Sequence, residues 1–398
     1  MTSSRGPLTD LLVLDVTRVL AGPFAGMLLA DLGAQVIKVE MPGRGDDARA
    51  FGPFRDGVSA YFASVNRGKR SLSLNLKTSE GKAIFMRLAE KADILLENYR
   101  PGVMERLGLD YQSLRPINPR LIYATVSGFG HTGPYSRRPA YDAVVQAMGG
   151  IMSITGEEGG PPARVGVSIA DLTAALCAVI GVLGALHHRE RTGQGQMVDI
   201  AMLDCLVAIL ENALARYFVS GEVPGRLGTR HPSITPFQAF DTADGQVVLA
   251  IGNDQLWERF CRVVGSDGLC QDPRFRTNDL RTCNHAELEP LVAEIVRRHP
   301  TAWWLENMER EGIPCGPINT VADLATDPQV LAREMIQTVM DPEVGPMSMA
   351  GVPIKLSHTP GAIAGPAPRL GQHTEEVLRE LLGIPSQEVA RLRERGVV

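Results

Sequence analysis

Between residues 11 and 127 the chain alternates short apolar runs with amphipathic stretches, and that alternation leaves few architectures open. LLVLDVT (11–17), QVIKVE (35–40), RSLSLNL (70–76), DILLEN (93–98) and LIYATVS (121–127) read as strands. GPFAGMLLADLGA (22–34) reads as a helix with Pro23 in its first turn and a stop near Gly33. A second helix follows the third strand, with Ser79 as its N-cap and Ile84, Phe85, Leu88 and Ala92 as its apolar positions. Strands separated by helices of this length form a parallel sheet covered on both faces, so residues 1–200 are expected to be α/β and Rossmann-like.

After residue 200 the texture changes. A helix-like segment (203–219) runs into SGEVPGRLGTRHPSITP (220–236), and together 201–236 read as a linker helix and loop. FQAFDTADGQVVLAIG (237–252) reads as a hairpin turning at Asp244-Gly245, with helices near 254–264, 285–299 and 301–311, so 237–328 is expected to be a smaller α+β domain. The remainder, 329–398, carries two strand-like runs and a polar helix.

Composition closes off several function classes. Forty basic against 45 acidic residues give a formal net charge of -5, with no basic excess to suit nucleic acid. The start, MTSSRGPLTDLLVLDVT, has no apolar h-region followed by a small-residue cleavage site. The longest apolar run, Leu172 to Leu186, is shorter than the roughly 20 residues a bilayer span needs. A cytoplasmic protein without a membrane partner is expected. The six cysteines show no C-x-x-C spacing and the eight histidines no H-E-x-x-H, so neither a metal site nor a disulfide framework is signalled. His187 and His188, beside Arg189 and Arg191, suit the negative end of a helix.

Two motifs bear on chemistry. Gly128, Gly130 and Gly133 fit G-x-G-x-x-G after a strand, but Pro134 follows at once and no acid ends a strand about 20 residues on, so a dinucleotide loop is not expected. Ser168 lacks a G-x-S-x-G setting and there is no P-loop lysine. Asp171 stands between two apolar runs and has two compatible readings. It is the N-cap of a helix over about 172–191, or a carboxylate nucleophile kept ionised by that helix's dipole.

The runs VLDVTRVLAGPFAGMLLADLGAQVIKVEMPGRGD, NRGKRSLSLNLKTSEGK, ENYRPGVMERLGLDY, NPRLIYATVSGFG, AYDAVVQAMGG, DLTAAL, GIPCGPINTVADLATDPQV and LGQHTEEVL occur in this order across nearly the whole chain. They resemble the class III CoA-transferase family, formyl-CoA transferase-like proteins of the CaiB/BaiF type. The resemblance implies an aspartyl nucleophile at Asp171 that carries CoA as a thioester, with no metal and no tightly bound cofactor: CoA itself is the carried group. It implies CoA contacts at Leu74, Lys77, Asn98, Tyr99, Arg100 and Arg106, and substrate contacts at Leu20, Tyr141 and Asp142. Gly252, in AIGND (250–254), aligns near a glycine-rich loop. Leu20 replaces a glutamine of formyl-CoA transferases and Pro139 replaces a lysine near CoA, which weakens formate or oxalate as substrate. Succinyl-CoA as donor and a small dicarboxylic acid as acceptor are expected, with Arg18, Arg164 and Arg230 as candidates to pair with a distal carboxylate. The alternatives are a 2-methylacyl-CoA racemase, for which Tyr141 stands where that reaction needs a histidine, and a non-catalytic CoA-binding protein. The family fold further implies an interlocked, ring-like homodimer in which the segment beyond about 330 returns to the large domain.

Overall fold

The computed structural model describes residues 6–398. The chain forms two units: Met1–Ile151, Val165–Ser220 and Pro328–Val398 make the first, and Met152–Arg164 with Gly221–Asp327 make the second. Residues 152–164 thus leave the first unit and return to it, an excursion no change of composition marks. The segment 203–219, read from sequence as one linker helix, falls in two helices, Met202–Ile209 and Glu211–Ser220, that belong to the first unit.

In chain order the first unit contains β1 (Leu12–Asp15), α1 (Ala21–Asp31), β2 (Gln35–Glu40), β3 (Arg70–Ser73), α2 (Ser79–Ala89), β4 (Ile94–Glu97), β5 (Ile122–Ser127), α3 (Ile169–Thr192) and β6 (Met197–Ala201). The six strands form one parallel sheet in the order β3-β2-β1-β4-β5-β6. Parallel strands covered on both faces bury every side chain, which is why β1, β4 and β5 read as unbroken apolar runs rather than alternating ones. Alternate residues serve two cores. Val13, Val36, Ile94, Leu96, Ile122 and Ala124 face α1 and α3, while Leu12, Leu14, Ile37, Leu72, Leu95 and Tyr123 pack with Phe85 and Leu88 of α2.

The second core also takes Val377 and Leu378 of helix Thr374–Leu382 and Val389 and Leu392 of helix Ser386–Glu394. The sequence suggested one polar helix here; there are two, separated at Gly383. The edge strand β3 is closed by the same segment, with Ser71 N–H donating to His373 Nδ1 at 3.1 Å and Ser73 N–H to Thr374 Oγ1 at 3.0 Å. An edge covered this way cannot template pairing with another chain.

Two helices depart from their sequence reading. The cap of α2 is Thr78, whose hydroxyl accepts from Gly81 N–H, so Ser79 is the first helical residue rather than the N-cap. Helix α3 extends for 24 residues, well past the Leu172–Leu186 run, and by length and composition it could cross a membrane. Its small residues Ala174, Ala178 and Val182 are buried in the core shared with α1 and β5.

The second unit has a three-stranded antiparallel sheet, Phe237–Asp241, Gln246–Ala250 and Cys315–Pro317. Its helices enclose Trp257, Phe260, Leu288 and Trp304 against it. The Asp244-Gly245 turn is tied by Thr242 N–H to Gly245 O at 2.9 Å.

Candidate active site

Five strands end in a polar residue at the carboxyl edge of the sheet: Asp15, Glu40, Ser73, Glu97 and Ser127, all buried. Strand order reverses between β1 and β4, and in open α/β sheets that crevice is where ligands sit. The loops leaving β1 and β4 here line two cavities that share Arg18, Tyr99 and Val103. One cavity, of about 380 Å³, has apolar walls of Val39, Met41, Leu74, Leu76 and Leu107 and carries Lys77, Arg106 and Arg44. The other, of about 410 Å³, contains Leu20, Asn98, Arg100, Arg138, Tyr141 and Asp171. A further cavity, of about 290 Å³, lies against the return segment, where Arg369 pairs with Asp341 and Glu343, and Arg70 with Glu376 and Glu380. Those charges satisfy one another.

A buried charge network shapes the first loop. The β1–β2 register sets Asp15 opposite Lys38, and Asp15 also pairs with Lys69 at 2.7 Å while Lys38 pairs with Asp46 at 2.9 Å. All four side chains are at most 1% exposed. Two cations and two anions make the set neutral, the condition on which such charges tolerate burial. Burial alone would raise the Asp15 carboxyl, but Lys69 and Lys38 beside it hold it below its ordinary value. Lys69 is pulled down to about 8, by burial first and by the like charge of Lys38, against the attraction of Asp15. Gly26 of α1 leaves room for the pair: a Cβ there would stand 2.8 Å from Asp15 Oδ2 and 3.1 Å from Lys69 Nζ.

From this network the chain between β1 and α1 is held group by group. Asp15 accepts from the N–H and hydroxyl of Thr17, and Lys38 Nζ donates to Thr17 O at 2.9 Å. Asn98 clamps Arg18, accepting from its N–H at 2.8 Å and donating to its carbonyl at 2.7 Å. Asp46 accepts from Val19 N–H at 3.0 Å. Val19 sits at φ 69°, a region costly for a β-branched residue, and these flanking bonds fix it there. The result is a set turn that directs Leu20 and the first residues of α1 to the cavity. Leu20 offers no side-chain cap to α1, so the amides of Ala21 and Gly22 have no hydrogen-bond acceptor among the described residues.

Asp171 is not the N-cap its sequence setting suggested. Ser168 holds that position, without a side-chain cap bond, and Asp171 lies in the first turn of α3. Part of the capping is supplied from outside the helix: Asp142, first residue of helix Asp142–Met148, accepts from Ala170 N–H at 2.9 Å and from Gln146 Nε2 at 2.7 Å. Freed from capping, the Asp171 carboxylate has no hydrogen-bond partner among the described residues and lines the larger cavity. Burial, and secondly the charge of Asp142, push it up to about 7 in spite of the helix dipole.

The residues singled out from sequence fall into groups. Leu20, Asn98, Tyr99, Arg100, Tyr141 and Asp171 line one cavity; Leu74, Lys77, Tyr99 and Arg106 line the other. Tyr141 is 76% exposed, while Asp142 is buried behind it as a brace. Gly252 lies in the second unit, in the loop before helix Asp254–Val263. Arg164 and Arg230 are in the second unit too, and neither lines the Asp171 cavity. Sequence reasoning passed over Asp15, Lys38, Asp46 and Lys69, although lysines in and beside otherwise apolar strands were a visible signal. It also passed over Arg138, which nothing in its local sequence distinguishes from Arg137.

A model of CoA-transferase family III matches residues 8–374. The acetyl-CoA:oxalate CoA-transferase of Acetobacter aceti is 46% identical over 89% of this chain and 90% of its own. The succinate–glutarate CoA-transferase of Agrobacterium fabrum is 42% identical over 96% of this chain and 97% of its own. Among solved structures, a CAIB/BAIF family protein from Brucella suis superposes with a TM-score of 0.84 at 41% identity, covering 95% of this chain and 100% of that one.

Proposed function

This chain belongs to CoA-transferase family III, and from that premise we propose that it moves CoA from an acyl-CoA, with succinyl-CoA as the leading donor, to a small dicarboxylic acid through a thioester on Asp171. The observation that carries the reading is the Asp171 carboxylate, unpartnered and lining a cavity that shares three residues with a second cavity bearing Lys77, Arg44 and Arg106. Apolar walls suit an adenine and a pantetheine arm, and the cations suit phosphates. Relatives that act on oxalate and glutarate support a diacid acceptor.

In the mechanism the Asp171 carboxylate attacks the donor's thioester carbon and expels CoA thiolate, leaving a mixed anhydride of the donor acid with Asp171. The thiolate then attacks the Asp171 carbonyl carbon, which releases the donor acid as a free carboxylate and forms the aspartyl-CoA thioester. The acceptor carboxylate attacks that thioester and expels the thiolate again. Thiolate attack on the acceptor's acyl carbon gives the new acyl-CoA and regenerates Asp171. One thioester enters and one leaves, so the exchange needs no external energy source. The chain's contribution is to hold the groups in line and to keep water out of the anhydride. Negative oxygen develops at each addition, and the unbonded amide of Ala21, which lines the Asp171 cavity, is suited to receive it. Gly252 stays a candidate donor by resemblance alone. We also infer a homodimer, since Leu176, Ile180 and Leu183 leave an apolar stripe on the outer face of α3.

The test is a matrix of acyl-CoA donors against free acids. Transfer of CoA into a free diacid supports the proposal. Loss of an α-proton from a 2-methylacyl-CoA without exchange would replace it with the racemase, for which no histidine lines the Asp171 cavity. Tight CoA binding without turnover would leave only a binding protein. The pH dependence gives a second check. The nucleophile is the ionised form, so kcat/KM rises with pH through about 7. Asp142→Asn removes a like charge beside Asp171 and moves that acid limb to lower pH in the rate profile; a limb that stays in place or moves upward contradicts the assignment.

A further inference from the structure

We propose that Arg138 is the residue that selects dicarboxylic acids, by receiving the carboxylate that does not react. The inference rests on the CoA-transferase reading of this site and adds to it the group that reads the far end of the acid. Three arginines line the Asp171 cavity: Arg18, Arg100 and Arg138. Arg18 is paired with Asp47. Arg100 follows directly on Tyr99 and precedes Val103, both shared with the cavity that carries Lys77 and Arg106, so its chain neighbourhood is the CoA side. Arg138 is on the loop that continues through Ala140 and Tyr141, residues that line the Asp171 cavity and not the one that carries Lys77 and Arg106.

Arg138 is exposed, and its guanidinium has no ion pair and no hydrogen bond among the described residues but rests on a ring. Its carbon stands 3.9 Å from the centre of the Tyr135 ring, and Tyr135 in turn meets the edge of Phe129 at 5.9 Å. A turn bond from Arg138 N–H to Tyr135 O, 2.9 Å, ties the two residues. A contact with a ring leaves N–H groups of the fork available for a carboxylate. Electrostatics gives the reason such a group is needed. A diacid brings a second negative charge: on the donor acyl-CoA it enters beside the ionised Asp171, and on the acceptor, when Asp171 is a neutral thioester, it enters beside Asp142, so a cation placed to meet it favours the diacid. A monocarboxylic acid makes no such demand.

The experiment compares two acceptors of equal length, glutarate and pentanoate, with one acyl-CoA donor and the full-length protein. For the wild type, kcat/KM favours glutarate. In Arg138→Gln the glutarate-to-pentanoate ratio of kcat/KM falls about 30-fold, the size of one charge-assisted contact, through a higher KM for glutarate rather than a lower kcat. Arg138→Lys recovers part of the ratio, because the charge remains without the fork. Arg100→Gln lowers both acceptors together. Equal losses for both acids in Arg138→Gln, no change in the ratio, or a fall in the ratio caused by Arg100→Gln instead would overturn the assignment. A wild type that transfers CoA only to monocarboxylic acids would also overturn it while leaving the CoA-transferase reading intact. Absence of exchange with every donor and acid would remove both.

Discussion

Replacing Asp171 by asparagine abolishes CoA exchange, lowering kcat by at least about 10⁴-fold, and makes the protein harder to unfold at pH 8. The first effect follows from removing the carboxylate that we propose carries the CoA; asparagine keeps the shape without a nucleophilic carboxylate. The second follows from the carboxyl being pushed from 3.8 up to about 7 by burial and by Asp142. A carboxyl raised on folding contributes stability that is complete below about 3.8 and is lost as the pH climbs through about 7, because the unfolded chain releases its proton first. Each pKa unit corresponds to about 1.4 kcal/mol, and water in the open cavity screens part of the roughly three units, so the variant gains about 2 kcal/mol at pH 8. Urea midpoints taken from pH 4 to 8 should separate progressively, with little difference at the acid end. A variant that is less stable than wild type at pH 8 contradicts the burial argument even if exchange is lost.

Asp15→Asn is expected to cost about 3 kcal/mol or more while leaving the local shape almost unaltered. The asparagine still accepts from Thr17 N–H, but Lys69 then loses its ion-pair partner and Lys38 keeps only its pair with Asp46. Removing one member of a buried ionic set strands the others, which is why the loss exceeds that of any surface pair. The deficit has a pH signature. Lys69, already down at about 8 in the intact network, loses its closest anion and releases its proton at lower pH. The wild-type Lys69 releases its proton only through about 8, so the deficit narrows as the pH rises to about 8 and is level beyond it, where both folded forms are neutral and the unfolded lysine is still charged. Urea unfolding at pH 7 and pH 10 measures this; a deficit that is absent, or that grows with pH, counts against the network. The turn through Val19 depends on the same charges, so KM for the acyl-CoA should rise in Asp15→Asn as well.

What could be read from the chain beforehand follows a physical division. The edge strand β6, only partly buried, shows no apolar run and was not read, whereas the other five of the six strands of the parallel sheet were legible as apolar runs between helices. The helix α3 was legible for the same reason, while its first turn was not. A lone acid ahead of an apolar run has the local signature of an N-cap, and the group that displaces it from that task is Asp142, 29 positions earlier, bonded to Ala170 N–H. Thr78 and Ser79 are equally good caps by type; the outcome was decided by which hydroxyl reaches Gly81 N–H. The Asp15–Lys38 pairing depends on strand register, and the pairing of Lys69 with Asp15 on a crossover of 54 residues. Arg18, Arg164 and Arg230 were equivalent candidates in sequence, and of these only Arg18 lines the cavity, already paired. Arg138 emerges only when its cavity and its freedom from any acid are seen together.

The most direct test is the mass of the peptide that contains Asp171. The purified protein is incubated with an acyl-CoA donor and no acceptor, split in two, and one half is treated with neutral hydroxylamine before digestion. The account predicts a CoA adduct on Asp171 in the untreated half and its conversion to a hydroxamate in the other. Full exchange activity with an unmodified Asp171 peptide in both halves would contradict it.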